Sequence, residues 1–472
     1  MLNFWDFEAW GAINLFAILL ISLLTANAIK KNSKFIRSTL IPTPVLGGLI
    51  LLVGTTIYEA IAGVPFFNTG FFNGNGLSIL EVVTYHCLAL GFIASTLKRS
   101  DKKFTKKRSE EIFDAGVTTV STYLLQGTIG MGATILIALL FTDLFPASGL
   151  LLPFGFGQGS GQALNYGSIY ESQYGFMGGR NFGLTIAAVG FLVASLGGVI
   201  HLNILKKKGV NIVFDAENRR EPTEQIETPN EIPMNGTIDK LTVQIAFTLG
   251  VYALTYTAMY FLGQLLPGMR SVIYGFNFLL GVLVANLCRM VVNFLRKKQI
   301  IKKRYTNNFF LTHISNFFFD LMIVAGIAAI RLEGLKDYWW IILILGALGT
   351  VSTYYYNLYI ARKFYPDYSE EQFLTMYGML TGTASTGIML LRELDPDYKT
   401  PAQDNLIYQT IPAIVFGFPL MMLATLAPTK PYLTLAILAA FFVVMNIILF
   451  RRKIFKGLYA KLDAKSKTKG EA

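Results

Sequence analysis

The stretch "PFGFGQGSGQALNYGSIYES" (residues 153–172) follows an apolar run directly and interrupts it with small residues. Four alternate positions are glycine: Gly155, Gly157, Gly159 and Gly161. Glycine adopts positive φ angles and lets another backbone approach closely, so this run predicts a break in regular structure. The spacing superficially matches a phosphate-binding loop, but Ser160 stands at the third glycine position and no Lys-Ser/Thr pair follows. The stretch therefore indicates irregular backbone within apolar surroundings.

Composition defines the class of protein. The 472 residues are 53% hydrophobic and 15% charged, with a mean hydropathy of +0.48, whereas soluble domains carry about 25% charged residues. Runs such as "LTIAAVGFLVASLGGVIHLNIL" and "LTLAILAAFFVVMNIILF" approach the roughly 20 apolar residues of a membrane helix. The sequence predicts an all-α polytopic membrane protein.

Charge, cysteine and histidine usage excludes several functions. The net charge of +12 comes from short basic runs between the apolar segments, which fits membrane orientation and argues against nucleic-acid binding. Cys87 and Cys288 fall far apart in predicted spans, so neither a disulfide framework nor a zinc site is expected. The three histidines show no ligand spacing: His86, His201 and His313.

Eleven full spans are predicted from the apolar runs. They lie near 11–29, 39–61, 77–97, 112–141, 178–205, 242–266, 272–295, 309–332, 338–361, 404–427 and 431–450. Two further stretches, 147–171 and 371–395, each contain an apolar arm, a run of Gly, Ser and Thr, and a second arm. Neither arm is long enough to cross a bilayer alone. Both stretches are predicted to be re-entrant hairpins.

Charge asymmetry supports this assignment. With residues 30–38 on the cytoplasmic side and both hairpins returning to the side they entered, the inner segments hold 35 of the 41 Lys and Arg residues and the outer segments five. A full crossing at either hairpin would move the basic clusters after it to the outer side. The positive-inside rule therefore predicts an outer N-terminus and a cytoplasmic C-terminus in the cell membrane.

A polar linker, residues 206–240, divides the chain into two similar halves and carries no predicted chemistry. The first half, 1–205, and the second, 241–428, each read as four spans, a hairpin and a span. Residues 429–472 add one span and a basic tail. The halves begin on opposite sides of the membrane, which predicts two inverted repeats of a secondary transporter.

The hairpin tips carry the predicted binding chemistry. Backbone groups without hydrogen bonds cost several kcal/mol in hydrocarbon. Two helix breaks at corresponding positions of the two halves therefore indicate a binding site that is lined by protein or water. A helix starting near Gly161 or Gln162 would direct its N-terminal N–H groups at the site and favour a carboxylate. The alternative for either tip is close packing of small residues between helices.

The second tip, "TGTASTG" (381–387), contains four hydroxyl side chains: Thr381, Thr383, Ser385 and Thr386. These hydroxyls predict oxygen ligands for sodium or for an ammonium group. Arg392 is a candidate for a substrate carboxylate, and a local ion pair with Glu393 or Asp395 is an equal alternative. Asp320, inside an apolar span, is a candidate to balance a cation; packing against a donor on a neighbouring helix is the alternative.

The sequence resembles the bacterial sodium/glutamate symporters in several motifs. "IPTPVLGGLI" (41–50) resembles that family's entry to the second span, "GFGQGSGQALNYGSIYESQYGF" (155–176) its first hairpin and "YGMLTGTASTGI" (377–388) its second. "SNFFFDLMIVAGIAAIRL" (315–332) is similar to the third span of the second repeat. Three features depart from the family pattern. Leu164, followed by Asn165, stands where an aromatic residue is common, the second motif is richer in Thr and Ser, and an eleventh span is present.

The resemblance implies a homodimer of inverted five-span repeats that works as an elevator and takes up L-glutamate, or a related acidic amino acid, with sodium. The predicted substrate-binding residues are Gln158, Gly159, Ser160, Gly161, Gln162, Asn165, Thr381, Gly382, Thr383, Ser385, Thr386 and Arg392. The predicted sodium ligands are Thr383, Ser385 and Asp320. A dicarboxylate or hydroxy-acid, coupled to sodium or protons, is the alternative substrate class. A membrane enzyme is not expected, because no acidic or histidine cluster lies at the membrane edge, and a channel with re-entrant loops is a more distant alternative.

Overall fold

The computed structural model describes residues 5–98, 105–140, 144–210, 238–267, 270–275, 277–300, 306–332, 338–395 and 399–455. Every regular element within these ranges is helical, which confirms the predicted all-α class. The predicted connector at 206–240 falls mostly outside them, since 211–237 are not described.

The helices follow the order predicted from the apolar runs. The first half contains α1 (Phe7–Asn32), α2 (Lys34–Ser38), α3 (Thr43–Ala62), α4 (Gly76–Leu97), α5 (Lys106–Ala138), α6 (Leu151–Phe156), α7 (Ser160–Tyr174) and α8 (Gly179–Lys207). The second half contains α9 (Lys240–Leu265), α10 (Arg270–Gly275), α11 (Asn277–Lys297), α12 (Asn308–Ala328), α13 (Trp339–Phe364), α14 (Ser369–Thr381), α15 (Ala384–Arg392), α16 (Ala402–Tyr408), α17 (Thr410–Leu426), α18 (Pro431–Leu449) and α19 (Arg451–Ile454).

Ten described helices are long and apolar enough to cross a membrane: α1, α3, α4, α5, α8, α9, α11, α12, α13 and α18. The bent pair α16–α17 makes eleven if it forms one span, and this pair covers the predicted span 404–427. The structure therefore confirms a multi-pass membrane protein. Its orientation in the membrane and the inverted repeat stay predictions.

Local sequence explains where the helices begin. The Thr105 hydroxyl accepts a hydrogen bond from the Arg108 N–H at the start of α5, and Asp239 accepts one from the Thr242 N–H at the start of α9. These side chains replace partners that the first turn of a helix lacks. Along the spans, large apolar side chains such as Ile61, Leu136 and Phe261 are exposed, as expected of surfaces that contact lipid.

The chain forms two compact units, and each draws on both halves of the sequence. Unit 1 comprises Met1–Lys103, Gly159–Ala188 and Leu202–Asp337, and unit 2 comprises Phe104–Gln158, Val189–His201 and Tyr338–Ala472. The predicted inverted repeats divide the chain by sequence order, so they are not the same as these two compact units.

In unit 1, α4 packs closely against α12. A Cβ atom at Gly91 would lie 2.6 Å from the Phe319 ring, and the Ser315 hydroxyl donates to the Gly91 carbonyl over 2.9 Å. Only a glycine permits this approach, because any side chain at position 91 would overlap the ring. The contact fixes α12 against α4.

In unit 2, α5 packs against α13 and the additional span α18. The Tyr356 hydroxyl of α13 donates to Asn446 of α18 over 2.9 Å. Beyond α18, Arg451 forms an ion pair of 2.5 Å with Asp114 of α5, and Arg452 forms one with Glu110. The eleventh predicted span is therefore part of unit 2 and is held to α5 at its C-terminal end.

Candidate functional site

The first predicted hairpin contains a helix break at its glycines. Helix α6 ends at Phe156 and α7 begins at Ser160. Gly159 has φ +83° and ψ −177°, a conformation open essentially to glycine alone. The Gly157 carbonyl accepts a hydrogen bond of 3.0 Å from the Tyr123 hydroxyl, and a Cβ atom at Gly157 would lie 2.2 Å from the Tyr123 ring. The break predicted from the sequence is thus present and requires glycine at two positions.

The N-terminus of α7 has no side-chain cap. Its N-cap residue is Gly159, which has no side chain to accept from the first turn. The leading N–H groups of a helix have no partner within the helix, and the helix dipole adds partial positive charge there. Ser160 and Gln162, both 1% exposed, lie in this first turn. The start of α7 is therefore suited to an anionic group.

Gln162 is the most unusual residue of this hairpin. Both heteroatoms of its amide, Oε1 and Nε2, are buried without a hydrogen-bond partner. Leaving a buried polar group unpaired costs about 1–3 kcal/mol, so a side chain with two such atoms is costly to maintain. On a helix of 3.6 residues per turn, Gln162 lies on the same face of α7 as Asn165 and Tyr166, one turn before them.

The neighbouring predicted residues pack within unit 1. The Ser160 hydroxyl contacts the Met322 carbonyl of α12 at 3.5 Å, and Asn165 donates to the Gly275 carbonyl over 2.8 Å. A Cβ atom at Gly161 would lie 3.0 Å from Leu88, which explains the small residue there. Gln158, in unit 2, is half-buried. The structure thus gives Ser160, Gly161 and Asn165 contacts with neighbouring residues and leaves the buried Gln162 amide without a hydrogen-bond partner.

The second predicted hairpin also contains a helix break. Helix α14 ends at Thr381 and α15 begins at Ala384, with Gly382 and Thr383 between them. The carbonyl end of α14 and the amide end of α15 therefore meet in one short segment, with partial negative and partial positive charge respectively. Both arms belong to unit 2.

The hydroxyls of the second tip have local partners. Thr381 donates to the Tyr377 carbonyl over 2.6 Å. The Thr383 hydroxyl caps α15 by accepting from the Thr386 N–H, and lies 3.2 Å from the Thr386 hydroxyl. Each oxygen keeps lone pairs that can face a cation. The side chain of Ser385, also predicted to bind, lies outside the described part of the structure.

Two of the predicted residues are charged. Arg392 ends α15 and is exposed; it is nine residues from Thr383, about 13 Å along the helix. Asp320 lies on α12, two residues before Met322, whose backbone carbonyl contacts the Ser160 hydroxyl. The structure therefore does not bring Arg392 to the second tip, and the role of Asp320 stays a prediction.

Gln126, which contacts the second hairpin from α5, was not among the residues predicted from the sequence. Its amide donates to the Leu380 carbonyl over 2.9 Å and to the Thr353 hydroxyl over 2.8 Å. The only signal in the sequence is a single amide within the apolar segment "TYLLQGTIG" (122–130). The described residues contain no group of three or more His, Cys, Asp or Glu side chains suited to a metal ion.

The structure is a multi-pass helical protein with two helix breaks. At each break one helix ends with partial negative charge and the next begins with partial positive charge, which is the construction of a secondary transporter. The family model of the sodium/glutamate symporters matches residues 9–368. The chain belongs to this family, whose members are transporters and not enzymes. The match includes the first hairpin and ends just before α14. No curated protein sequence matches the chain.

Proposed function

We propose that the protein takes up L-glutamate, or a related acidic amino acid, together with sodium by alternating access. Membership of the sodium/glutamate symporter family supports sodium-coupled symport of glutamate. The site residues, the alternating-access mechanism and the particular acidic substrate are the proposal.

The observation that carries this proposal is the unpaired amide of Gln162 beside the uncapped start of α7. A fold tolerates such a cost where a ligand supplies the missing partners. A substrate carboxylate would accept from Nε2 and from the N–H groups of the first turn, and the partial positive charge of the helix would stabilise it. Oε1 would accept from an ammonium or hydroxyl group.

In our proposal the second hairpin supplies cation ligands within unit 2. Its α14 end offers carbonyl oxygens and its threonines offer hydroxyls, which together suit sodium or an ammonium group. Arg392, exposed and distant from the tip, contributes to the overall field in this scheme instead of contacting the carboxylate. Asp320 stays a candidate to balance a cation in this scheme.

A homodimeric elevator with an outer N-terminus remains part of the proposal. Two compact units are the minimum that relative movement of domains requires. Unit 2 contains hairpin arms α6, α14 and α15, whereas α7 belongs to unit 1. A transport domain that carries both whole hairpins would therefore include α7 together with α6, α14 and α15. Crosslinking within reconstituted protein, with and without sodium and glutamate, would define it.

The direct test is uptake of labelled glutamate by purified protein in liposomes, with sodium exchanged for choline. Sodium-dependent accumulation against a gradient is expected, and its absence for every acidic solute would refute the proposal. Competition by aspartate, malate and citrate distinguishes an amino acid from a dicarboxylate or hydroxy-acid. Passive flux without accumulation would indicate a channel.

Gln162→Met sharpens the test because it keeps the side-chain length and removes both unpaired atoms. We expect a melting temperature equal to or above the wild type, since the unpaired atoms cost about 1–3 kcal/mol, together with loss of glutamate-dependent stabilisation and uptake.

Gln244→Met is the matched control. Gln244 is equally buried and lies in unit 1, but its amide has partners, including the Asn307 N–H at 3.1 Å. This variant should lose stability and keep glutamate binding. Normal glutamate binding by Gln162→Met would remove Gln162 from the site.

A further inference from the structure

The α5 helix carries a row of polar side chains into unit 2. Thr119, Thr122 and Gln126 lie on one face at helical spacing and are fully or almost fully buried. Thr119 donates to Gln409 over 2.8 Å, and Thr122 lies 3.3 Å from the Asn357 amide that donates to it. We name these three residues of α5 the polar row.

Gln126 differs from the rest of the polar row. Its Nε2 atom makes two hydrogen bonds, to the Leu380 carbonyl and the Thr353 hydroxyl, while its Oε1 atom is buried without a partner. The amide cannot gain by reversing, because Oε1 would then face the Leu380 carbonyl at the distance now held by Nε2, and two acceptors repel. The hydrogen bond to the Leu380 carbonyl therefore holds the Gln126 amide in the orientation that leaves Oε1 without a donor.

The surroundings of this oxygen favour a cation. Leu380 is the penultimate residue of α14, where the helix dipole places partial negative charge. The hydroxyl of Thr381, next in the chain, is likewise fully buried. An amide oxygen, a helix carbonyl end and hydroxyls are hard oxygen ligands.

The charge of the site sets the valence of the cation. Asp114, the carboxylate on α5 that precedes Gln126 by twelve residues, lies about 18 Å away along the helix. Neutral oxygens alone do not offset the dehydration of a divalent ion, for which proteins supply carboxylates. The oxygens around Gln126 therefore suit a monovalent cation.

We infer that Gln126 is a ligand for the coupling sodium ion, through Oε1, at the carbonyl end of α14. This rests on the proposed function and extends it to a residue outside both hairpins. The two Nε2 bonds orient the amide in advance, and sodium supplies the partner that Oε1 lacks. Sodium binding would then tighten the contact between α5 and the second hairpin.

The test is a sodium titration of the melting temperature of the full-length protein, without substrate, with choline keeping the ionic strength constant. Gln126→Met should raise the half-saturating sodium concentration at least about tenfold, the change that corresponds to about 1.4 kcal/mol. Calorimetric titration of the same proteins with sodium, at one temperature below all their melting transitions, should show the same change in affinity, which protects the test if the Met variant melts early.

Gln409→Met is the matched control. Gln409 is 1% exposed, lies in unit 2 and near α14, and has both amide atoms partnered, by Thr119 and by the Met379 sulfur at 3.0 Å. It should melt at a lower temperature with an unchanged half-saturating sodium concentration. An equal shift in the Gln409 and Gln126 variants would overturn the assignment, since both would then act through stability alone.

Three further outcomes separate the hypotheses. A normal sodium response in Gln126→Met, with weaker binding of glutamate but not of glutarate, would assign the position to the substrate ammonium and overturn the sodium ligand. Wild-type protein without any sodium-dependent uptake would instead refute the proposed function. Normal sodium-driven uptake together with a normal Gln126→Met titration refutes this inference alone.

Discussion

Gly159→Ala is the substitution for which the structure gives the clearest expectation at the first hairpin. Gly159 has φ +83° and ψ −177°. This region costs a residue with a Cβ atom about 1–3 kcal/mol. The same energy lowers the population of the native tip conformation by about 5- to 150-fold. Because the first turn of α7, from Ser160 to Gln162, directly follows Gly159, the start of α7 would be displaced or disordered.

Two readouts measure this effect. The concentration of glutamate that gives half-maximal stabilisation in sodium should rise by the same 5- to 150-fold range, about 1–3 kcal/mol, and uptake at low glutamate should fall in proportion. The melting temperature without ligand should fall by an amount set by the strain. Uptake is measured in liposomes and stabilisation in detergent, so a loss in both is not a reconstitution artefact.

Gly175 supplies the matched control at the other end of the same helix. It has φ +72° and ψ +18°, and a Cβ atom at this position would have no neighbouring atom within 4 Å. Asparagine tolerates this left-handed region but not that of Gly159. Gly175→Asn should therefore remain near wild type, while Gly159→Asn should resemble Gly159→Ala. Wild-type melting and glutamate affinity in Gly159→Ala would refute the strained tip.

Two predictions concern the base of the second hairpin. Asp395→Asn should lower stability at pH 7 by about 1–3 kcal/mol, because the carboxylate accepts bonds from the Lys399 and Thr400 N–H groups and from the Thr400 hydroxyl. Partial burial raises the pKa of Asp395, but these bonds outweigh it and hold the pKa below its ordinary value. The stability difference between wild type and Asp395→Asn should therefore be full above about pH 4 and vanish as the pH falls through the lowered pKa. Melting curves from pH 7 to 3 that keep a constant difference would contradict this. His201→Phe should cost about 1–3 kcal/mol by removing the 2.8 Å contact with Glu370. Adding Glu370→Gln should then cost less than it does in the wild type, which a double-mutant cycle of melting temperatures measures.

Much of the fold follows from patterns that act over short distances along the chain. The apolar runs predict the spans because bilayer thickness fixes their length. The observed helix breaks, at 157–159 and 382–383, lie within the predicted tips 155–161 and 381–387, since glycine geometry and hydroxyl capping depend on neighbouring residues. The observed arms begin and end within a few residues of the predicted 147–171 and 371–395.

The candidate site was harder to predict because its distinctive features depend on contacts distant in sequence. Gln126 pairs with Thr353 and Leu380, which are 227 and 254 residues away, and nothing in "TYLLQGTIG" indicates either partner. The unpaired state of Gln162 likewise depends on which neighbours fail to reach it.

The two unpaired glutamines lead to an experiment on coupling itself. If sodium raises the affinity for glutamate by some factor, glutamate must raise the affinity for sodium by the same factor, because binding free energies are reciprocal. A change at Gln126 that acts only on sodium therefore weakens glutamate binding at low sodium, and saturating sodium restores it. A change at Gln162 that acts on the carboxylate cannot be restored by any sodium concentration. Glutamate affinity measured across a sodium series for both Met variants separates these cases. If saturating sodium rescued the Gln162 variant, or failed to rescue the Gln126 variant, the division of anion and cation binding between the two glutamines would be wrong.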